Sequence, residues 1–200
     1  MTGRPCGGVL LAAGEGRRFG GPKALAELEG ELLVERGIRL LLEGGCVDVV
    51  VVLGAAAAQV RQRASLGPAK AVVNRDWPTG MGSSLAAGLS ALGAGPGAAV
   101  VALVDQPLIG ATAVQRLIES WREGAVAAVA TYSGQPRNPV LFDRSVWPTV
   151  LDSVTGDKGA RDFLRSHPDL VTPVACDDTG SPDDVDTVTD LLVMARAREL

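Results

Sequence analysis

The residues best suited to chemistry lie in one stretch near the start, Leu10-Leu11-Ala12-Ala13-Gly14-Glu15-Gly16-Arg17-Arg18-Phe19-Gly20-Gly21-Pro22-Lys23. Glycines at 14, 16, 20 and 21 let backbone N–H groups approach an anion closely. Arg17, Arg18 and Lys23 put positive charge within reach of the same loop, and Pro22 restricts the backbone from which the Lys23 ammonium projects. Together these residues make a phosphate cradle. Further along, Asp105 closes the apolar run Ala98–Val104 and precedes Gln106-Pro107. A carboxylate at the end of a buried strand is well placed for Mg²⁺, which takes one or two carboxylates alongside phosphate oxygens and waters. Capping of the following segment is the plainer role for the same aspartate.

Two other readings of the first loop stay open on its own residues. Gly-rich strand-to-helix turns also arise from packing alone, and Gly14-x-Gly16-x-x-x-Gly20 imitates a dinucleotide loop. A dinucleotide loop, however, needs an acid at the end of the second strand, and that strand ends Val51-Val52-Leu53-Gly54. Three basic residues also suit a triphosphate better than a diphosphate bridge. The Walker pattern GxxxxGK[ST] is absent.

The elements that must position these residues alternate in type along the chain. Short apolar runs predict strands at 8–13, 47–53, 71–74, 98–104, 125–132, 138–142 and 171–175. Helical spacing predicts helices over 32–42, 55–63, from about Ser83, from a Thr112 cap to about Glu123, on both sides of 156–161, and from about Val188. Alternation of this kind predicts a mainly parallel sheet covered on both faces. No repeat, linker or boundary divides the chain, so residues 1–200 read as a single domain.

Bulk composition narrows the function. Hydrophobic residues make up 46% and aromatics only 4%, which predicts a packed core of Ala, Val and Leu. A net charge of −4 gives no general basic surface for nucleic acid. One histidine, His167, in Ser-His-Pro, makes a His-based triad improbable. Three widely spaced cysteines without a CxxC pair read as ordinary thiols of a reducing compartment. No signal h-region and no apolar run of membrane-spanning length is present, so no membrane partner is expected and the cytoplasm follows by elimination.

The stretch LAAGEGRRFGGPK resembles the LAAGxGxRxGxPK signature of the MobA-like nucleotidyltransferases, within them the molybdenum cofactor cytidylyltransferase-like group. The resemblance continues through Asn74-Arg75-Asp76-Trp77, Gly80-Met81-Gly82-Ser83-Ser84-Leu85, Asp105-Gln106-Pro107, Pro139-Val140-Leu141-Phe142, Gly156-Asp157-Lys158-Gly159-Ala160-Arg161 and Asp184-Val185-Asp186-Thr187. It implies a three-layer α/β/α sandwich with a mostly parallel sheet, Rossmann-like and of the nucleotide-diphosphosugar transferase type.

The resemblance also implies roles. Leu11, Ala12, Ala13, Gly14, Gly16 and Lys23 would hold the nucleoside triphosphate with Asn74, Gly80, Met81, Ser83 and Ser84, and Ala13 matches members that use cytidine nucleotides. Asp186 would join Asp105 at Mg²⁺, although it could equally cap the last helix. Lys23, Arg17 and Asp105 would be catalytic. Lys158 and Arg161 would hold the acceptor phosphate with Asn138, which stands where family members commonly carry Gly-His-Pro. The implied reaction transfers a nucleoside monophosphate, CMP in preference, to a small phosphorylated acceptor such as the molybdopterin cofactor. A transient contact with a molybdoenzyme would follow. Alternatives are a sugar phosphate or phospholactate acceptor, a nicotine-blue-type oxidoreductase using NAD(P)H, and a non-catalytic module that retains the fold.

Overall fold

A computed structural model describes residues 4–153, 156 and 159–197. Nine strands and seven α-helices are described there. They are β1 (Cys6–Ala12), β2 (Glu27–Leu28), β3 (Glu31–Leu32), α1 (Leu33–Glu43), β4 (Asp48–Leu53), α2 (Ala57–Arg63), β5 (Lys70–Val73) and α3 (Met81–Ala91), then β6 (Ala98–Leu103), α4 (Ala111–Arg122), β7 (Ala127–Tyr132), β8 (Gln135–Asp143), α5 (Trp147–Ser153), α6 (Arg161–Ser166), β9 (Val171–Ala175) and α7 (Val188–Ala197).

Seven strands form one sheet in the order β5-β4-β1-β6-β8-β7-β9, and β2-β3 is a separate hairpin. Only β8 runs against its neighbours; the other pairings in the sheet are parallel. Successive strands step outward from β1 through β4 to β5, then resume on its other side at β6. The direction of winding therefore reverses between β1 and β6, and the carboxyl ends of those strands open a crevice there.

Strand periodicity sorts β1 onto two faces. Leu10 and Ala12 join the core beneath α1 and α4, while Val9 and Leu11 join the core beneath α3 and α5. Both helices that cover β1 approach through a glycine. A Cβ at Gly37 of α1 would lie 2.7 Å from Leu10, and one at Gly88 of α3 would lie 2.4 Å from Val9. This close fit fixes the end of β1, and so the loop that follows.

The elements match the sequence expectation closely, with three differences. The β2-β3 hairpin was not predicted; it turns on Glu29 and Gly30, both at positive φ. α3 begins at Met81 instead of Ser83, because Gly80 at φ 117° lets the chain enter the helix earlier. α4 begins at Ala111 with Gly110 as its N-cap and no side-chain cap, so Thr112 does not cap it. The Gly110 N–H is held by the Thr179 carbonyl at 2.7 Å, which sets the helix start ahead of Thr112.

Candidate active site

The loop after β1 closes on itself before it reaches Lys23. Gly20 and Gly21 both donate backbone N–H bonds to the Gly16 carbonyl, at 2.9 and 3.1 Å. Gly16 itself sits at φ +66°, and a Cβ there would lie 1.8 Å from the Gly21 carbonyl oxygen. Only glycine permits this turn. A 3₁₀ turn at Lys23–Leu25 follows, with Ala24 buried beneath it, so the Lys23 backbone is fixed.

Asp105 stands two residues beyond β6, whose end is tied to β1 by Val104 N–H donating to Leu11 O at 3.1 Å. The segment after β9 is then stitched backward along the Asp105 loop. Ser181 donates to Leu108 O, Ile109 bridges Gly180, and Val185 N–H donates to the Asp105 carbonyl at 2.8 Å. That strap delivers Asp186 to Asp105.

Lys23 joins the two acids. Its ammonium donates to Asp105 Oδ2 and to Asp186 Oδ1, each at 2.9 Å. Two oxygens that far from one nitrogen can be no more than 5.8 Å apart (2.9 + 2.9). The other Asp186 oxygen accepts from Arg18 Nη1 at 3.0 Å. Burial pulls the Lys23 ammonium down, but the two carboxylates outweigh it and its pKa is raised. The Lys23 hydrogen bond holds the Asp186 carboxyl below the usual carboxylate range against a smaller opposing effect of burial.

Asp186 does not cap α7. Asp190 Oδ2 accepts the Asp186 and Thr187 N–H groups, and Thr187 Oγ1 accepts the Asp190 N–H, a reciprocal arrangement at the helix start. The Asp186 carboxylate is left to face Lys23 and Arg18.

A cleft of about 470 Å³ opens over this cluster. Leu11, Ala12, Ala13, Gly14, Gly16, Arg17, Lys23, Gly80, Met81, Ser84, Asp105 and Asp186 all line it. Arg17 is exposed and paired with Glu15 at the cleft mouth, whereas Arg18 reaches Asp186. Asn74 and Ser83 stand behind the wall. Asn74 is buried, its amide donates to Ser83 Oγ at 2.8 Å and Ser84 Oγ at 3.0 Å, and its Oδ1 accepts from the Asp76 N–H. The amide nitrogen thus holds Ser83 and Ser84, and the oxygen holds the local turn at Asp76.

A second cavity of about 470 Å³ adjoins the first across Met81 and Leu103. Asn138 and Arg161 line it with Arg137, Gln106, Asp183 and Asp184. Lys158 lies outside the described residues. Burial, with Asp105 nearby, pushes the Asp184 carboxyl up, while Gln106 Nε2 donates to it at 2.9 Å.

Sequence reasoning missed Arg36, a buried arginine of α1. It donates to Pro107 O at 3.1 Å, to Leu28 O, to Glu31 and to Glu29, tying the β2-β3 hairpin to the Asp105 loop. An arginine among the apolar spacings of α1 was the available signal.

The donor set fits a hard divalent cation. Two carboxylates from distant parts of the chain converge on one positive charge at the carboxyl edge of the sheet, with room for phosphate oxygens above them.

Comparison with known proteins agrees with this architecture. The chain is 47% identical over 195 residues to the nicotine blue oxidoreductase of Paenarthrobacter nicotinovorans, covering 94% of this chain and 95% of that one. It is 35% identical over 128 residues to a probable molybdenum cofactor guanylyltransferase of Opitutus terrae, covering 64% and 61%. Among solved structures, Rv0371c of Mycobacterium tuberculosis H37Rv in complex with manganese superposes with a TM-score of 0.82 at 27% identity, covering 96% of this chain and 99% of that one. A model of the MobA-like NTP transferase domain matches residues 8–171. The chain belongs to that family and is a nucleotidyltransferase.

Proposed function

We propose that the protein transfers a nucleoside monophosphate, CMP in preference, from a nucleoside triphosphate to a phosphorylated acceptor such as the molybdopterin cofactor. The observation that carries this reading is the pairing of Lys23 with Asp105 and Asp186 on the floor of the Gly14–Gly16 cleft. A triphosphate laid on that loop meets backbone N–H groups, the Lys23 ammonium and the Arg18 guanidinium. Asp105 and Asp186 would hold Mg²⁺, which offsets charge on the transferring group and the leaving pyrophosphate. That the Rv0371c relative forms a complex with manganese supports the use of a divalent ion.

The nucleotide end and the acceptor end occupy adjoining cavities. The base would lie against Leu11–Ala13 and the Gly80–Ser84 turn, which Asn74 holds from behind. The acceptor would enter beside Asn138 and Arg161. A phosphate nucleophile is already anionic at pH 7, so no side chain needs to take a proton from it. The cleft lining contains no histidine. A cytoplasmic protein serving a molybdoenzyme would fit this chemistry.

A second reading follows from the 47% identical relative, an oxidoreductase by name. Against it, β4 ends at Leu53-Gly54, with no acid to anchor a ribose.

Pyrophosphate release from CTP, GTP, ATP and UTP, measured with Mg²⁺ and molybdopterin, tests the proposal beside NADPH oxidation by the same preparation. CTP-dependent release supports it, and GTP preference would remove the weight placed on Ala13. NADPH consumption without pyrophosphate release from any triphosphate would overturn the transferase assignment.

A further inference from the structure

We infer that Lys23 is an exchangeable counter-cation, which holds Asp105 and Asp186 together in the nucleotide-free protein and must leave them for phosphate before a divalent ion can bind both. The inference rests on the metal reading of those two acids given above. Its basis is geometric. The ammonium lies 2.9 Å from an oxygen of each carboxylate. An ion bonded to the same two oxygens at about 2.0–2.1 Å would need them within about 4.2 Å of one another, and would compete for them with the ammonium that already draws them together. Lysine and metal are therefore alternative partners of the two acids.

Charge leads to the same conclusion. Within the ion-paired set the two carboxylates of Asp105 and Asp186 are matched by Lys23 and Arg18, while Asp184 and Asp190 add negative charge nearby. A divalent ion arriving while Lys23 stays in place meets carboxylates that are already paired. The Lys23 side chain is only 15% exposed, so its pairing is weakly screened by solvent. Its backbone is fixed by the 3₁₀ turn and by buried Ala24, which leaves rotation of the flexible side chain as the route of release. The Gly14–Gly16 loop lines the same cleft, and a triphosphate there offers the ammonium a new partner. Binding of the triphosphate therefore uncovers the acids. Metal and nucleotide bind cooperatively through the lysine, beyond any direct bond between them.

Arg18 supplies the control. It touches only the outer oxygen of Asp186, is 80% exposed and lies on no shared point. Removing it takes away the same charge without vacating the position between the acids.

The test is Mn²⁺ binding to nucleotide-free protein, followed by electron paramagnetic resonance. Lys23→Gln should tighten Mn²⁺ binding about 10-fold or more, and Arg18→Gln by no more than about 3-fold, as expected for a screened surface charge. Lys23→Met provides a second neutral side chain should the glutamine variant fold poorly by circular dichroism. Equal effects of the Lys23 and Arg18 variants, or no tightening in either Lys23 variant, would overturn the exchange. Adding Asp105→Asn to the Lys23 variant separates the two failures. If binding is lost with Asp105 but never tightened by removing Lys23, the metal reading stands and the exchange alone is wrong. If tight binding survives Asp105→Asn, the ion sits elsewhere and both ideas fall.

Discussion

Arg36 Nε donates to the backbone carbonyl of Pro107 at 3.1 Å, across 71 positions of sequence. The bond fixes the loop that carries Asp105 to the first helix, and the same guanidinium holds Glu29 and Glu31 of the β2-β3 hairpin. Lys23 lies just upstream of that hairpin, so one buried side chain braces both halves of the Lys23–Asp105 pair from behind.

Arg36→Met should therefore destabilise the protein by about 2–3 kcal/mol, since it removes a buried guanidinium and leaves the Pro107 and Leu28 carbonyls without that donor. Arg36→Lys should recover part of the loss, because an ammonium cannot reproduce the planar fork. Urea unfolding curves with an unchanged m-value check both variants.

Glu31 sets a pH dependence. Hydrogen bonding from Arg39 is the largest influence and lowers its carboxyl against opposing burial, with Arg36 adding to the lowering. Because the folded-state pKa lies below the unfolded value of about 4.3, the unfolded chain binds more protons between the two. Stability from Glu31 is thus fully present above about pH 5 and disappears as pH falls through the folded value. Glu31→Gln should be less stable than wild type at pH 7 and lose less on acidification. Melting temperatures from pH 3 to 7 give the comparison, and parallel curves for the two proteins would contradict it.

Gly14 and Gly16 differ although the sequence presents them alike. A Cβ at Gly14 meets nothing within 4 Å, whereas one at Gly16 would collide with the Gly21 carbonyl and Gly16 has φ +66°. Gly16→Ala should cost about 1–3 kcal/mol and weaken triphosphate binding by 10-fold or more, since the loop must reopen. Gly14→Ala should leave the melting temperature within a degree or two. Thermal shift with and without CTP separates the pair.

The strands were legible because burial on both faces writes itself as unbroken runs such as Val49–Leu53. The first loop was legible because positive charge and glycine coincide there. The meeting of Asp105 with Asp186 was expected from the resemblance, and what brings it about is the strap of backbone bonds from Gly180 to Val185. Main-chain pairing between irregular segments leaves no side-chain pattern to read. For the same reason the two-residue strands β2 and β3 escaped notice, and with them the pairing of Glu29 and Glu31 with Arg36. Asn74 was expected at the nucleotide with Ser83 and Ser84, and its side chain bonds both of them as well as the Asp76 N–H, contacts that no sequence spacing announces.

Asp186 and Asp190 permit the sharpest separation of function from stability. They lie four positions apart at the start of α7, and both have carboxyls held below the ordinary range, but for different reasons. Asp190 accepts backbone N–H bonds from Asp186 and Thr187, so it serves the helix start. Asp186 accepts from Lys23 and Arg18, so it serves the cleft. Asp190→Ala should lower stability measurably, as the loss of a helix cap does, and slow nucleotidyl transfer no more than a few-fold. Asp186→Asn should unfold within about 1 kcal/mol of wild type, because Asn keeps an acceptor oxygen for Lys23 and the exposed Arg18 pair contributes little. Its transfer rate should nevertheless fall on the order of 100-fold, the scale of losing one electrostatic stabiliser at the reacting phosphate. Urea unfolding and pyrophosphate release on the same two proteins test the division. If Asp190→Ala abolishes transfer while Asp186→Asn retains it, the two aspartates have been given each other's roles.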